Sequence, residues 1–175
     1  KQYSAPNHFN QSFLIKVPPL DTKRLANVLP ALALQHDALR LRYPGRGRQQ
    51  HYHKQIDLPS LKILDISGLD ELSIHKELTA WQSGFDIEQG PLWCLGYIHG
   101  YSDDTARIYV AMHHLIVDAV SWRILIEDIK SLYDGETLGE KTSSYRQWVR
   151  TVRQYADTHQ DQRAYWTKQC NGLPD

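Results

Sequence analysis

Arg107-Ile108-Tyr109-Val110-Ala111-Met112-His113-His114-Leu115-Ile116-Val117-Asp118-Ala119-Val120-Ser121-Trp122 is the stretch on which the reading of this chain turns. Ile108, Val110 and Met112 recur with the period of a strand, and the apolar run ends in two imidazoles. From about Ser121 the period changes. Trp122, Leu125, Ile129 and Leu132 then follow three- and four-residue spacing, the stripe of a helix with one inward face. A strand that ends in two neutral bases and turns directly into an amphipathic helix predicts helices layered on a sheet, with the histidines at the end of a central strand. Successive strand side chains point to opposite faces, so if one histidine faces a cavity the other is expected to turn into the structure, and the two should have different roles.

Outward from this segment the signals continue. Pro91 to Ile98 predicts a strand paired with Arg107 to His113 around a turn at Gly100 to Asp104. Leu72, His75, Leu78 and Trp81 fall on one helical stripe closed by Gly84. The turn Pro44-Gly45-Arg46-Gly47 leads to a short strand near Gln49 to His53, expected to form a hairpin with Leu61 to Ile66. Leu39, Leu41 and Tyr43 mark another strand. Leu25, Val28, Leu29 and Leu32 mark a helix capped by Asp21 or Thr22, in which Pro30 predicts a kink or an altered boundary. Phe9, Gln11, Phe13, Ile15 and Val17 share one face of a strand ended by Pro18-Pro19, and that face is expected to be largely buried.

Downstream, Tyr145, Trp148, Val149, Val152 and Tyr155 mark a helix capped by Thr142 or Ser143, with a last helix near Gln160 to Gln169 placing Tyr165 and Trp166 against it. Strands and helices interleave without the strict alternation of a doubly wound fold. The expected class is therefore an α/β layered sandwich, a mixed sheet with packed helices, folded as one unit.

Bulk properties exclude several functions. Among 175 residues, 20 Lys and Arg balance 20 Asp and Glu, so no positive field gathers nucleic acid or anionic lipid. The longest apolar runs, Leu29 to Leu34 and Val117 to Val120, fall far short of the roughly 20 residues of a membrane span. A cytoplasmic protein is expected, with no nucleic acid and no membrane as partner. Cys94 and Cys170 are too few and too far apart for a disulfide framework or a CxxC pair, and read as ordinary thiols. The start at Lys1 and the loop-like end Asn171-Gly172-Leu173-Pro174-Asp175 read as a piece of something longer.

For the histidine pair three readings compete. A metal site is disfavoured, because adjacent histidines do not easily share one tetrahedral ion and no Cys or carboxylate stands at ligand spacing; His51 and His53 share a strand face but lack a third ligand. Hydrogen-bonded core histidines are the bland alternative. The third reading comes from context.

His113-His114-Leu115-Ile116-Val117-Asp118-Ala119 resembles the HHxxxDG signature of the condensation-domain superfamily of nonribosomal peptide synthetases, which shares its fold with chloramphenicol acetyltransferase. Further segments occur in this family's order: His8-Phe9-Asn10-Gln11-Ser12, Gln35-His36-Asp37-Ala38-Leu39-Arg40, Gly84-Phe85-Asp86 with Gly90-Pro91-Leu92, Val120 to Leu125, and Lys141 to Tyr145 with Trp148. Asn10-Gln11-Ser12, Ser121-Trp122-Arg123 and Lys141-Thr142-Ser143 look more like epimerization domains than peptide-forming condensation domains. Ala119 departs from the motif by replacing its glycine, which adds a methyl group and restricts positive φ.

The resemblance implies that residues 1–175 form the amino-terminal lobe of such a domain, the carboxy-terminal lobe lying outside the chain. It implies an aminoacyl or peptidyl thioester substrate on the phosphopantetheine of a carrier domain, with adjacent synthetase modules as partners and no cofactor bound directly. His114, the second motif histidine, becomes the base; the opposing acid/base in the family is a glutamate of the other lobe. His113 shapes the loop, and Asp118 supports it by an ionic or hydrogen bond, or caps the helix that begins near Ser121. Ser121 and Trp122 complete the supporting set, though Trp122 and Trp148 at helical spacing also read as core residues. Three alternatives stay open: a condensation domain, a coenzyme-A-dependent acyltransferase of the chloramphenicol type, and a noncatalytic docking module for a carrier domain.

Overall fold

The structure, a computed structural model, describes residues 6–45, 49–53 and 57–171. Arg46 and Gly47 of the expected turn and the last four residues of the expected terminal loop lie outside them. In chain order the elements are β1 (Asn10–Val17), α1 (Thr22–Ala26), α2 (Val28–Gln35), β2 (Leu41–Arg42), β3 (His51–Tyr52), β4 (Lys62–Asp65), α3 (Glu71–Ser83), β5 (Trp93–His99), β6 (Ala106–His113), α4 (Ala119–Asp134), α5 (Tyr145–Thr158) and α6 (Arg163–Cys170). The chain divides after Gly139 into two units, where the sequence predicts one. The irregular run from Gly135 to Ser144 separates α4 from α5, and its Gly135 and Gly139 are the only composition signal of the boundary.

The first unit is built on a mixed sheet of order β1-β6-β5-β4. β5 and β6 form the expected antiparallel pair, with Leu95 opposite Val110, and both are buried along nearly their whole length. The turn between them places Gly100 at φ +91° beside Asp65 and Ser67, a conformation that suits glycine. β1 pairs antiparallel with β6, so that Asn10 stands opposite His113. It is an edge strand, which corrects the expected buried face: Ile15 and Val17 pack on the core, whereas Phe9 and Phe13 remain about half exposed.

β4 does not form a hairpin with the preceding strand. It joins the large sheet parallel to β5, Lys62 opposite Gly96, because α3 supplies the crossover that a parallel neighbour requires. β3 pairs instead with β2 in a separate two-stranded sheet, Leu41 opposite Tyr52. Leu39, expected in a strand, lies in a 3-10 turn (Asp37–Arg40) closed by the Asp37–Arg40 ion pair, yet Leu39, Leu41 and Tyr43 are all buried.

Asp21 caps α1 by accepting from the Arg24 amide at 2.9 Å. The helix predicted from Leu25 to Leu32 is broken at Asn27, and Pro30 is the cause: it has no N–H to bond to the carbonyl four residues back, so α1 ends and α2 starts afresh. α3 starts on Asp70, whose carboxylate accepts from Ser73, and ends at Gly84. Its stripe is buried only in part. Trp81 lies against β5 so closely that a β-carbon at Gly96 would collide with the indole, while Leu72, expected inward, is 76% exposed in the first turn.

α4 packs Trp122, Leu125 and Ile129 inward, and α2 and α4 meet where His36 Nε2 approaches Asp128 Oδ2 at 2.6 Å. Cys94 and Cys170 are both free; burial pushes the Cys94 thiol up to about 11.

The second unit holds α5, a 3-10 turn (Gln160–Gln162) and α6. Ser144, one residue beyond the expected Ser143, caps α5 in a reciprocal capping box with Gln147. Trp148 is 62% exposed and Tyr145, Val152 and Tyr155 are open with it, so Trp148 is not the core residue its spacing allowed. Trp166 shares a surface cavity with Tyr155 and His159, and Tyr165 stands edge-on to Trp166 at 5.1 Å; both aromatics stay more than half exposed. Among the described residues no helix is long and apolar enough to cross a membrane.

Candidate active site

β6 delivers the two histidines to the end of the sheet, and strand alternation separates them. His113 is 1% exposed. Its amide donates to the Leu92 carbonyl at 2.8 Å, its carbonyl accepts from the Ile116 amide at 3.0 Å, and its ring Nδ1 accepts from the Leu115 amide at 3.2 Å. An accepting Nδ1 places the ring proton of neutral His113 on Nε2. His113 thus knits the turn that leaves β6.

His114 lies just past the end of β6, partly exposed, with its amide donating to the Phe9 carbonyl at 2.8 Å and its ring 4.9 Å from that of Phe9. Its Nδ1 is 2.9 Å from the Val117 carbonyl, which only accepts, so the ring proton of neutral His114 is on Nδ1 and the lone pair on Nε2. The two neighbouring imidazoles therefore hold opposite tautomers. Nε2 of His114 is 3.2 Å from the side-chain amide nitrogen of Gln11, whose oxygen accepts from Trp122 Nε1 at 2.8 Å.

The loop between β6 and α4 is held from both ends. Tyr43 donates its hydroxyl proton to the Leu115 carbonyl at 2.6 Å. Asp118 is the N-cap of α4, accepting from the Ser121 amide at 2.8 Å and the Ser121 hydroxyl at 2.6 Å. The Ser121 hydroxyl, then its amide, hold the Asp118 carboxyl below the usual carboxylate range, and nearby His114 adds a smaller attraction. Of the two readings of Asp118, these contacts are those of the cap. Ala119 occupies the first helical position, and the sole non-glycine residue of positive φ among those described is Asp104, so the methyl group that replaces the motif glycine strains no backbone.

Replacing Asp118 with Ala is expected to lower stability by about 1 kcal/mol, read from chemical denaturation at neutral pH. The carboxyl titrates lower in the folded chain than its ordinary 3.8, so this contribution is complete above that value and disappears as pH falls through the depressed folded value. The difference between wild type and variant should accordingly close in acid.

All five residues expected at the site, His113, His114, Asp118, Ser121 and Trp122, lie on this strand end, turn and helix start. Gln11 and Tyr43 were missed. Gln11 did carry a signal, as a polar residue in phase with Phe9, Phe13 and Ile15; Tyr43 carried none, because its partner is a backbone carbonyl distant in sequence. His51 and His53 stand apart, His51 on Gln49 and His53 near Asp57, and no group of three or more metal-ligating side chains exists among the described residues.

The model of the condensation domain matches residues 1–175, and the chain belongs to that family, whose members in nonribosomal peptide synthetases share the chloramphenicol acetyltransferase-like fold. Over 168 residues it is 41% identical to N-(5-amino-5-carboxypentanoyl)-L-cysteinyl-D-valine synthase of Amycolatopsis lactamdurans, covering 96% of this chain and 4% of that one. Bacitracin synthase 1 of Bacillus licheniformis is 35% identical over 187 residues, 96% of this chain and 4% of that synthase. Among solved structures, the epimerization domain from the third module of tyrocidine synthetase B superposes with a TM-score of 0.83 at 28% identity, covering 98% of this chain and 42% of that one. The starter condensation domain of rhizomide synthetase shares the fold, with a TM-score of 0.75 at 21% identity over 98% of this chain and 44% of its own. The chain thus spans less than half of these domains and a small part of the synthetases. Domains of this family act on phosphopantetheine-carried substrates without a cofactor of their own.

Proposed function

We propose that this chain is the amino-terminal lobe of an epimerization domain and supplies the base that inverts the α-carbon of a carrier-bound aminoacyl or peptidyl thioester. The observation that carries the reading is the state of His114: a partly exposed imidazole whose proton is engaged on Nδ1, leaving the Nε2 lone pair as the proton acceptor. A thioester acidifies its α-carbon, and an imidazole has the basicity to take that proton near neutral pH. The C–H electron pair moves into the thioester as an enolate, and Nε2 gains the proton. Reprotonation on the opposite face then completes inversion.

That second step needs an acid across the substrate, which the rest of the domain would contribute, with the carrier domain and neighbouring modules as partners. His113 and Asp118 act here as shaping groups, one fixing the turn and one starting α4, with Ser121 holding Asp118 and Trp122 anchoring the helix. Two comparisons support inversion over peptide-bond formation. The TM-score is higher to an epimerization domain than to the starter condensation domain, and a 41% identical relative is named for a product that ends in a D-residue.

The test offers the complete domain a loaded donor carrier together with a loaded acceptor carrier. Inversion of the donor residue without a new amide bond is expected. Transfer of the donor to the acceptor amine would establish the condensation reading instead.

A further inference from the structure

We propose that Gln11 is the positioning residue of His114, an inference that rests on His114 being the base. The indole N–H of Trp122 only donates, so the Gln11 atom it meets at 2.8 Å is the amide oxygen. The amide NH2 is thereby turned toward His114 Nε2, 3.2 Å away, where it finds a lone pair. Trp122, Gln11, His114 and the Val117 carbonyl form one directional chain in which each donor meets an acceptor. Val117 and Gln11 grip the two nitrogens of the ring, so together they set its plane and its tautomer.

The elements explain why the chain is rigid. Trp122 is buried in the first turn of α4 and packs edge-on against Phe13 of β1 at 4.6 Å, while Gln11 is two residues earlier on the same strand. A proton on Nε2 would face the Gln11 NH2, donor against donor. Gln11 could relieve this only by rotating its amide, which would set NH2 against the indole N–H. The pair therefore favours the neutral tautomer with its lone pair on Nε2 and orients that lone pair, and the long Gln11 contact yields when the substrate proton is taken.

Two substitutions separate this role from simple packing. In Gln11→Ala one of the ring's two in-plane anchors is lost, and kcat for inversion is expected to fall roughly tenfold, the scale of one hydrogen bond. Gln11→Glu is nearly isosteric, but presents an acceptor to both Trp122 and His114, so Nε2 takes up a proton and the base is blocked. Here kcat is expected to fall by about a hundredfold or more with little change in KM, since removal of a general base costs about that factor.

The accompanying readout is the pair of His114 ring 15N signals in the chain itself at neutral pH. In wild type they should report a protonated Nδ1 and a bare Nε2; in Gln11→Glu both nitrogens should be protonated. Ring signals unchanged by Gln11→Glu, or equal kcat losses in the two variants, would overturn the positioning role. Full activity in His114→Ala would instead overturn the assignment of the base, whatever the spectra of the Gln11 variants show.

Discussion

Replacing His114 with Ala in the complete domain is expected to slow α-proton exchange of a carrier-bound thioester by about a hundredfold or more, the usual contribution of a positioned general base. The substitution removes the lone pair at Nε2 and little of the core, because His114 is partly exposed just past the end of β6 and makes its polar contacts to Gln11 and Val117. Stability should therefore stay close to wild type. His113→Ala is the counterpart. His113 is 1% exposed and its Nδ1 accepts from the Leu115 amide, so its loss opens a gap in the core and removes a hydrogen bond of the turn, and is expected to cost roughly 1–3 kcal/mol of stability. Its effect on exchange would follow from a loosened turn. Exchange rates and denaturation midpoints measured side by side separate the two: one variant inactive and stable, the other unstable.

The largest effect on folding is expected at Leu95. It is 0% exposed in β5, flanked by β4 and β6 and opposite Val110, so truncation to Ala leaves a cavity among strands that do not easily close. A loss of about 2–5 kcal/mol is expected, seen as a lower denaturation midpoint with an unchanged slope. Leu72→Ala, which removes the same atoms from a residue 76% exposed, should stay within about 0.5 kcal/mol. Similar losses at the two positions would mean that the first turn of α3 is covered in solution.

Leu72 also illustrates what was legible in the sequence. Periodicity reports which residues share a face, and it found α3, its end at Gly84 and the partners Leu78 and Trp81. How far along the helix that face stays covered depends on where β5 lies beneath it, and the 3.6-residue period does not record this. Phe13 failed for a related reason: alternation identified β1, but its place at the edge of the sheet left the face half open. β4 was recognised as a strand and assigned the wrong neighbour, since a four-residue strand says little about its partner and the crossover through α3 decided it.

Local chemistry read better. Asp21 and Asp118 cap helices as their residue types favour, and Pro30 divides a helix as a missing N–H requires. At the site, alternation set the two histidines on opposite faces, and the resemblance, which makes His114 the base, said which of them is open. The tautomers were not legible, because they are set by the Val117 carbonyl and the Leu115 amide, which depend on the shape of the turn, and by the Gln11 side chain, which arrives only once β1 is paired with β6.

Inversion by proton abstraction is tested most directly by incubating the complete domain with one aminoacyl-carrier in deuterated water, without an acceptor, and then releasing the residue for mass and chiral analysis. The expected result is a mixture of configurations in which the inverted residue carries one deuterium on its α-carbon, formed in wild type and suppressed in His114→Ala. A residue recovered with its original configuration and no α-deuterium from a correctly loaded, folded wild-type domain would contradict it.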